Sequence, residues 1–121
     1  MQITQREVRG VIILDLEGRL VLEDGVTPFV ELMNTLGHRG GTRILLNFAK
    51  VTYLDSAGLA LLLRLAERMQ ARQQMLSVVV PVDSRVRRAF ELTGLLSVID
   101  VVSRSEDALS ETRPGHSNDQ M

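Results

Sequence analysis

The sequence predicts one α/β domain with a mixed, mostly parallel sheet and helices packed on it. Three observations support this fold class. Short apolar runs rich in β-branched residues alternate with longer runs of helical periodicity, which favours right-handed strand–helix–strand crossovers and parallel pairing. The first two strands follow each other without a helix between them, so this pair is expected to be antiparallel. The 121 residues, 45% of them hydrophobic, suffice for one modest core.

The composition argues against several classes of function. Lys plus Arg number 14 and Asp plus Glu number 15, and the resulting net charge of -1 argues against bulk nucleic-acid binding. No cysteine is present, which excludes a disulfide framework and a thiol catalyst. The two histidines, His38 and His116, are too far apart to suggest a metal site, and no cofactor is predicted. No apolar run approaches the ~20 residues of a membrane span and no signal peptide is recognisable, so the cytosol is the expected compartment.

The first two strands are predicted from apolar runs separated by turn residues. Residues 1–9 alternate weakly between polar and apolar, and residues 11–16 are β-branched and nearly all apolar. The Arg9-Gly10 pair between them is a turn signal, so the two runs are expected to form a hairpin. Gly18 is expected to end the second strand.

Apolar residues at helical spacing predict a first helix that ends near Gly37. Thr27 followed by Pro28 is a candidate start, because proline is tolerated at the first helical position, and Asp24 is a rival start. A short buried strand is predicted next over residues 43–48, followed by a polar turn.

A second and longer helix is predicted over about residues 55–72. It begins with Asp and Ser, which are favourable N-cap residues because a side-chain oxygen accepts from the free amides of the first turn. On a helical wheel Leu61 falls among arginines that include Arg64, with Leu65 alongside, and is expected to be exposed. This side is interpreted either as a solvated basic face or as a partner-binding surface. The predicted core face consists of Leu59, Leu62, Leu63, Ala66 and Met69.

The C-terminal part continues the alternation of strands and helices. Residues 75–80 form an apolar run, after which Asp83 or Ser84 is expected to cap a third helix that ends at Gly94. Further predictions are a strand over 98–102, a helix over 105–109, a domain spanning 1–111 and a disordered tail over 112–121.

No catalytic motif is complete, and the chain is expected not to be an enzyme. A serine hydrolase elbow requires glycine two residues before and two after the serine, but Leu54 precedes Ser56 where Gly58 follows it. Neither histidine is well placed to act as the general base. A Gly-x4-Gly-Lys-Ser/Thr loop is also absent from the sequence, which argues against a P-loop nucleotide hydrolase.

Ser56 retains a chemical role as a possible acceptor of modification. It is predicted at the positive end of a helix, near the surface and at the carboxyl end of a strand, where anions are stabilised. A kinase could reach this hydroxyl without unfolding the domain, and a phosphate would add about -1.5 to -2 charge. The alternative is that Ser56 is only a helix cap that contributes ~1 kcal/mol to stability.

Three segments occur in an order that is typical of one family. They are the run from Leu46 to Ala60, which opens a helix with Asp-Ser-Ala-Gly-Leu, the Leu16-Glu-Gly-Arg-Leu20 segment, and the segment Arg88-Ala-Phe-Glu-Leu-Thr-Gly-Leu-Leu96. Together they resemble the STAS family of anti-sigma factor antagonists. The resemblance spans roughly residues 3–109 and implies a compact STAS-like α/β fold without catalysis.

The resemblance also implies a switch between partners. In similar bacterial proteins, an anti-sigma factor that is also a serine-protein kinase phosphorylates the serine after the Asp. The unmodified antagonist binds that kinase and frees a sigma factor, and a serine phosphatase restores binding after phosphorylation. Carried over, the phosphoacceptor is Ser56, and Gly58 is expected to let the partner's backbone approach closely. The implied partner-binding residues are Asp55, Ser56, Ala57, Gly58, Leu61, Arg64, Glu23 and Asp24.

The sequence departs from the family pattern at one position. Similar proteins often carry Asp after the Gly-x-Leu segment, where this chain has Val21, with Glu23 and Asp24 close behind. Some relatives keep the fold and act instead as stressosome scaffolds or as small subunits of lipid-transport ATPases. These non-switching roles are the alternatives to sigma regulation, and neither direct nucleic-acid binding nor a membrane span is expected.

Overall fold

A five-stranded sheet and the helices packed against it form the framework of the structure, a computed structural model that describes residues 1–24, 26–37, 43–97 and 99–104. The strands are β1 (Gln2–Val8), β2 (Val11–Leu20), β3 (Arg43–Leu54), β4 (Met75–Val79) and β5 (Asp100–Val102). The helices are α1 (Val26–Gly37), α2 (Ser56–Ala71) and α3 (Arg85–Thr93), with a 3-10 turn at Leu95–Ser97.

Each strand of the sheet pairs with the next strand in sequence, in the order β1-β2-β3-β4-β5. β1 is antiparallel to β2, and all the following pairs are parallel. The predicted α/β fold with an antiparallel first hairpin is therefore confirmed. Because the parallel strands run in one direction, the carboxyl ends of β2, β3 and β4 lie at the same edge of the sheet.

The core lies between the sheet and the helices. Alternate strand residues such as Leu14, Leu46 and Val78 are fully buried there, as the period of a strand requires. Phe48 of β3 and Phe90 of α3 meet edge to face with ring centroids 6.3 Å apart, which fixes α3 against the sheet. A second, smaller apolar cluster consists of Val11, Ile13, Leu45 and Val79.

β2 and β3 are both longer than the sequence predicts. Gly18 does not end β2, since it remains in the ladder opposite Val51. The register shifts just beyond Asp15, and after this irregularity Val51 and Leu54 pack into the core. The polar turn predicted after Phe48 is therefore wrong, because the chain there continues as strand and pairs with the end of β2.

The predicted start of α1 is wrong by a small shift. The helix begins at Val26, so Thr27 lies inside the first turn and Pro28 is not the first helical residue. Asp24, the rival start, belongs to a tight turn before the helix and bridges to Val21. The helix extends through Gly37, and the five residues that follow lie outside the described ranges, so its predicted end stays a prediction.

α2 has nearly the predicted length but a different buried face. Leu61 and Leu65 are each only 5% exposed, whereas Leu63, a predicted core residue, is 39% exposed. The predicted exposure of Leu61 is therefore wrong. The helix is apolar around much of its circumference, so its periodicity alone does not determine which leucines face the sheet.

The third helix begins and ends as predicted. Ser84 is its N-cap, and Gly94 ends it in the left-handed conformation with φ of 78°. Leu95, which is 3% exposed, closes the cap against the core. The predicted last strand is shorter than expected, since β5 begins at Asp100. Val98, both histidines, the helix predicted over 105–109 and the tail predicted over 112–121 lie outside the described residues.

Candidate functional site

Ser56 lies where the sequence predicts, at the start of α2, at the carboxyl end of β3 and on the surface. The cap of this helix, however, is Asp55, whose Oδ1 accepts from the Gly58 amide at 2.9 Å. Ser56 is therefore the first helical residue and not the N-cap. The interpretation of Ser56 as only a helix cap is wrong.

The hydroxyl of Ser56 takes no part in the hydrogen bonds that the structure shows for the described residues. It stands beside the first amides of α2, which form the positive end of that helix. An anionic group on this oxygen would be tolerated electrostatically, because the helix end favours negative charge. The hydroxyl is thus available to chemistry without loss of a structural contact.

Asp55 connects two parts of the chain at this site. Its Oδ2 accepts from the Leu22 amide at 3.0 Å, and its own amide donates to the Leu20 carbonyl at 3.4 Å. The pKa of the Asp55 carboxyl is lowered from its ordinary value of 3.8 by the hydrogen bond from the Leu22 amide and, next, by that from Gly58. Asp55 therefore places a fixed negative charge next to Ser56 and holds the loop after β2 against the helix start.

Gly58 has an internal role in this arrangement. A Cβ at Gly58 would lie 2.5 Å from the Leu20 carbonyl oxygen, and the residue is buried. Only glycine permits this approach of the end of β2 to the first turn of α2. The close approach that the lack of a side chain at Gly58 permits is therefore to this chain's own strand.

The loop after β2 is a closed turn. The Val21 amide donates to the Asp24 carbonyl at 3.2 Å and the Asp24 amide to the Val21 carbonyl at 3.0 Å. Val21 stands at the position where the family often has Asp. It is apolar and only 8% exposed, so this position contributes no surface charge here. Glu23 and Asp24 are exposed as expected, and both carboxylate oxygens of Asp24 accept from the Met1 ammonium at 2.9 Å.

Leu22, at the tip of this turn, is a residue that the sequence analysis missed. It is 64% exposed, and its amide is bound by Asp55. The signal in the sequence is weak, since it consists of one leucine directly before two acidic residues in a short connection.

The outer face of α2 continues the surface on which Ser56 lies. Exposed residues recur there at helical spacing, and they include Ser56, Ala60, Leu63, Arg64 and Glu67. Arg64 is on this face as predicted, but Leu61 is on the opposite, buried side and Leu63 stands beside Arg64 in its place. Ala57 is half-buried between the two faces.

A second polar cluster lies away from Ser56, across β1, β2 and β3. Asp15 accepts from Arg6 Nε at 2.6 Å and from Asn47 Nδ2 at 2.7 Å. The bond from Arg6 is the main reason that the pKa of Asp15 is lowered, against the opposing effect of burial. The cluster borders a cavity of about 290 Å³. Within the described ranges, no group of three or more His, Cys, Asp or Glu residues could hold a metal ion.

Comparisons with known proteins find similar proteins over most of the chain. A model of the family described as "Mlab, STAS domain" matches residues 3–100. BtrV from Bordetella bronchiseptica, which is named provisionally as an anti-sigma factor antagonist, is 29% identical over 108 residues, covering 89% of this chain and 91% of its own. No helix in the described part of the chain is long and apolar enough to cross a membrane.

Solved structures share the fold at low sequence identity. One from Thermotoga maritima, also named provisionally as an anti-sigma factor antagonist, has a TM-score of 0.80 at 20% identity, covering 92% of this chain and 94% of its own. The anti-sigma factor antagonist SpoIIAA in its unphosphorylated form has a TM-score of 0.67 at 19% identity, covering 88% and 93%. The phosphorylated form of Bacillus SpoIIAA has a TM-score of 0.64 at 20% identity, covering 89% and 96%.

Proposed function

The chain belongs to the STAS-domain family, and we propose that it is a non-catalytic anti-sigma factor antagonist whose Ser56 is a phosphorylation switch. In this role the unmodified protein binds an anti-sigma factor that is also a serine-protein kinase, in the cytosol, and so releases a sigma factor. Phosphorylation of Ser56 by that kinase ends the binding, and a serine phosphatase restores it. The similarity to BtrV and to both forms of SpoIIAA supports the proposal.

The single observation that carries the proposal is that Asp55, and not Ser56, caps α2. Asp55 caps the helix, and the exposed Ser56 hydroxyl makes no hydrogen bond within the described residues. A kinase can therefore modify it while the fold persists.

The mechanism that follows is steric and electrostatic. Unmodified Ser56 is a small hydroxyl that a partner can cover together with Leu63 and Ala60 on the same helical face. A phosphate there would have to be desolvated in the contact, next to the negative charge of Asp55, and both effects oppose binding.

The first experiment measures intact mass after incubation with ATP and each candidate anti-sigma kinase from the same genome, followed by peptide mapping. One added phosphate that is lost in Ser56→Ala but retained in Ser84→Ala supports the proposal. Ser84 is the matched control because it too stands at a helix start, where its Oγ already accepts from the Arg87 amide.

Binding to the same kinase is then compared for two variants. Ser56→Ala should bind permanently and Ser56→Asp should bind poorly, while equal binding by both would contradict a switch. A protein that no candidate kinase phosphorylates or binds would instead favour the alternative roles, as a stressosome scaffold or a lipid-transport ATPase subunit.

A further inference from the structure

Leu22 is an exposed leucine that is held in a defined position. Its side chain is 64% exposed, while its amide donates to Asp55 Oδ2 at 3.0 Å. The turn that carries it is closed by two hydrogen bonds between Val21 and Asp24. The side chain therefore projects from a backbone that is already ordered before any partner arrives.

Exposure alone would not distinguish Leu22, because single exposed leucines are common on protein surfaces. Leu92 of α3 is even more exposed, at 74%, but the hydrogen bonds of the described residues do not connect it to the start of α2. Leu22 differs because the carboxylate that positions it also caps the helix of Ser56. An apolar side chain on an ordered backbone loses only its own rotamer freedom on binding, which favours its use in a contact.

We propose that Leu22 is an apolar anchor that enters an apolar pocket on the kinase when that kinase docks on Ser56, and that Asp55 is the positioning residue for this contact. This inference rests on the proposed function and extends the binding surface from α2 to the turn after β2. The occupant is the same kinase, because Leu22 and Ser56 are held together through Asp55. Leu63 supplies a second exposed apolar contact on the α2 side.

The test measures the affinity of the unmodified protein for its anti-sigma kinase by calorimetry, with Leu22→Ser and the matched control Leu92→Ser. Desolvation of a leucine side chain is worth a factor of about ten or more in affinity, so Leu22→Ser should bind at least about tenfold more weakly. Leu92→Ser should bind within about twofold of the wild type. Thermal unfolding of both variants establishes that each is folded at the temperature of the measurement.

A double-mutant cycle tests the positioning role of Asp55 separately from its role as a cap. Asp55→Ala should weaken binding in the wild-type background but cause a clearly smaller loss in the Leu22→Ser background, because the anchor is already absent. Equal losses in both backgrounds would overturn the positioning role.

The outcomes separate this inference from the proposed function. If the wild type binds the kinase and Leu22→Ser binds equally well, the anchor is overturned and the proposed function stands. If the wild type binds no anti-sigma kinase, both are overturned.

Discussion

The starts of α2 and α3 use the same residue type in opposite ways. At α3, Ser84 is the cap, and its Oγ accepts from the Arg87 amide at 3.0 Å and donates to the Pro81 carbonyl at 2.8 Å. At α2, Asp55 is the cap and the serine that follows it has no such duty. Both helices begin at the same edge of the sheet, so the difference lies in the local hydrogen bonds.

A serine at a helix start is suited to act as a switch when another residue caps the helix. A capping serine such as Ser84 also donates its hydroxyl proton to the Pro81 carbonyl, and phosphorylation would remove that proton and with it this contact. A serine one residue later keeps the favourable electrostatic environment of the helix end without that contact.

The largest expected effect concerns the close approach that holds the α2 start in place. Gly58→Ala should lower the free energy of unfolding by about 2 to 3 kcal/mol, because the new Cβ would lie 2.5 Å from the Leu20 carbonyl oxygen. The better helix propensity of alanine offsets only about 1 kcal/mol. Urea unfolding measures the change.

The matching substitution at the end of α3 serves as its control. Gly94→Ala meets no atom within 4 Å but must adopt a φ of 78°, so the expected loss is smaller, about 1 kcal/mol. A neutral or stabilising Gly58→Ala would show that the end of β2 moves away freely and that the two segments are not held together.

The next effect compares the two serines directly. Ser84→Ala should cost about 1 kcal/mol of stability because a cap is lost, whereas Ser56→Ala should change stability by no more than about 0.5 kcal/mol. The measurement is chemical denaturation of the variants at one pH, with an unchanged slope of the unfolding free energy against denaturant concentration. Equal losses at the two serines would mean that Ser56 shares the capping of α2.

The smallest effect is a dependence on pH at the α2 cap. The pKa of Asp55 is lowered in the folded protein, so its ionised form contributes stability at neutral pH, and this contribution is lost as the pH falls below its ordinary value of 3.8. The difference in unfolding free energy between the wild type and Asp55→Asn should therefore be present at neutral pH and shrink in acid. The difference between the wild type and Ser84→Ala should not follow this pattern, because the cap of α3 is uncharged. If the difference in unfolding free energy between the wild type and Asp55→Asn stays constant into acid, the hydrogen bonds assigned to the Asp55 carboxylate are contradicted.

Sequence patterns predicted much of the α2 site but not its division of roles. The Asp-Ser pair after an apolar strand correctly located the helix start and the exposed hydroxyl. Either residue is a favourable cap, and Asp55, which caps the helix, also accepts from the Leu22 amide in a contact across 33 positions of sequence. Local preferences carry no information about such a contact.

Apolar periodicity and cap residues act over a few neighbouring positions. They are therefore enough to predict the α/β class, the antiparallel first hairpin, the three helices of the described region and the location of Ser56. Three features could not be predicted in this way: β3 continues to Leu54, Leu61 is buried while Leu63 is exposed, and Gly58 faces its own chain. Each of these depends on the packing of β2 and β3 against α2. Packing selects one face and one register among several that the local sequence allows.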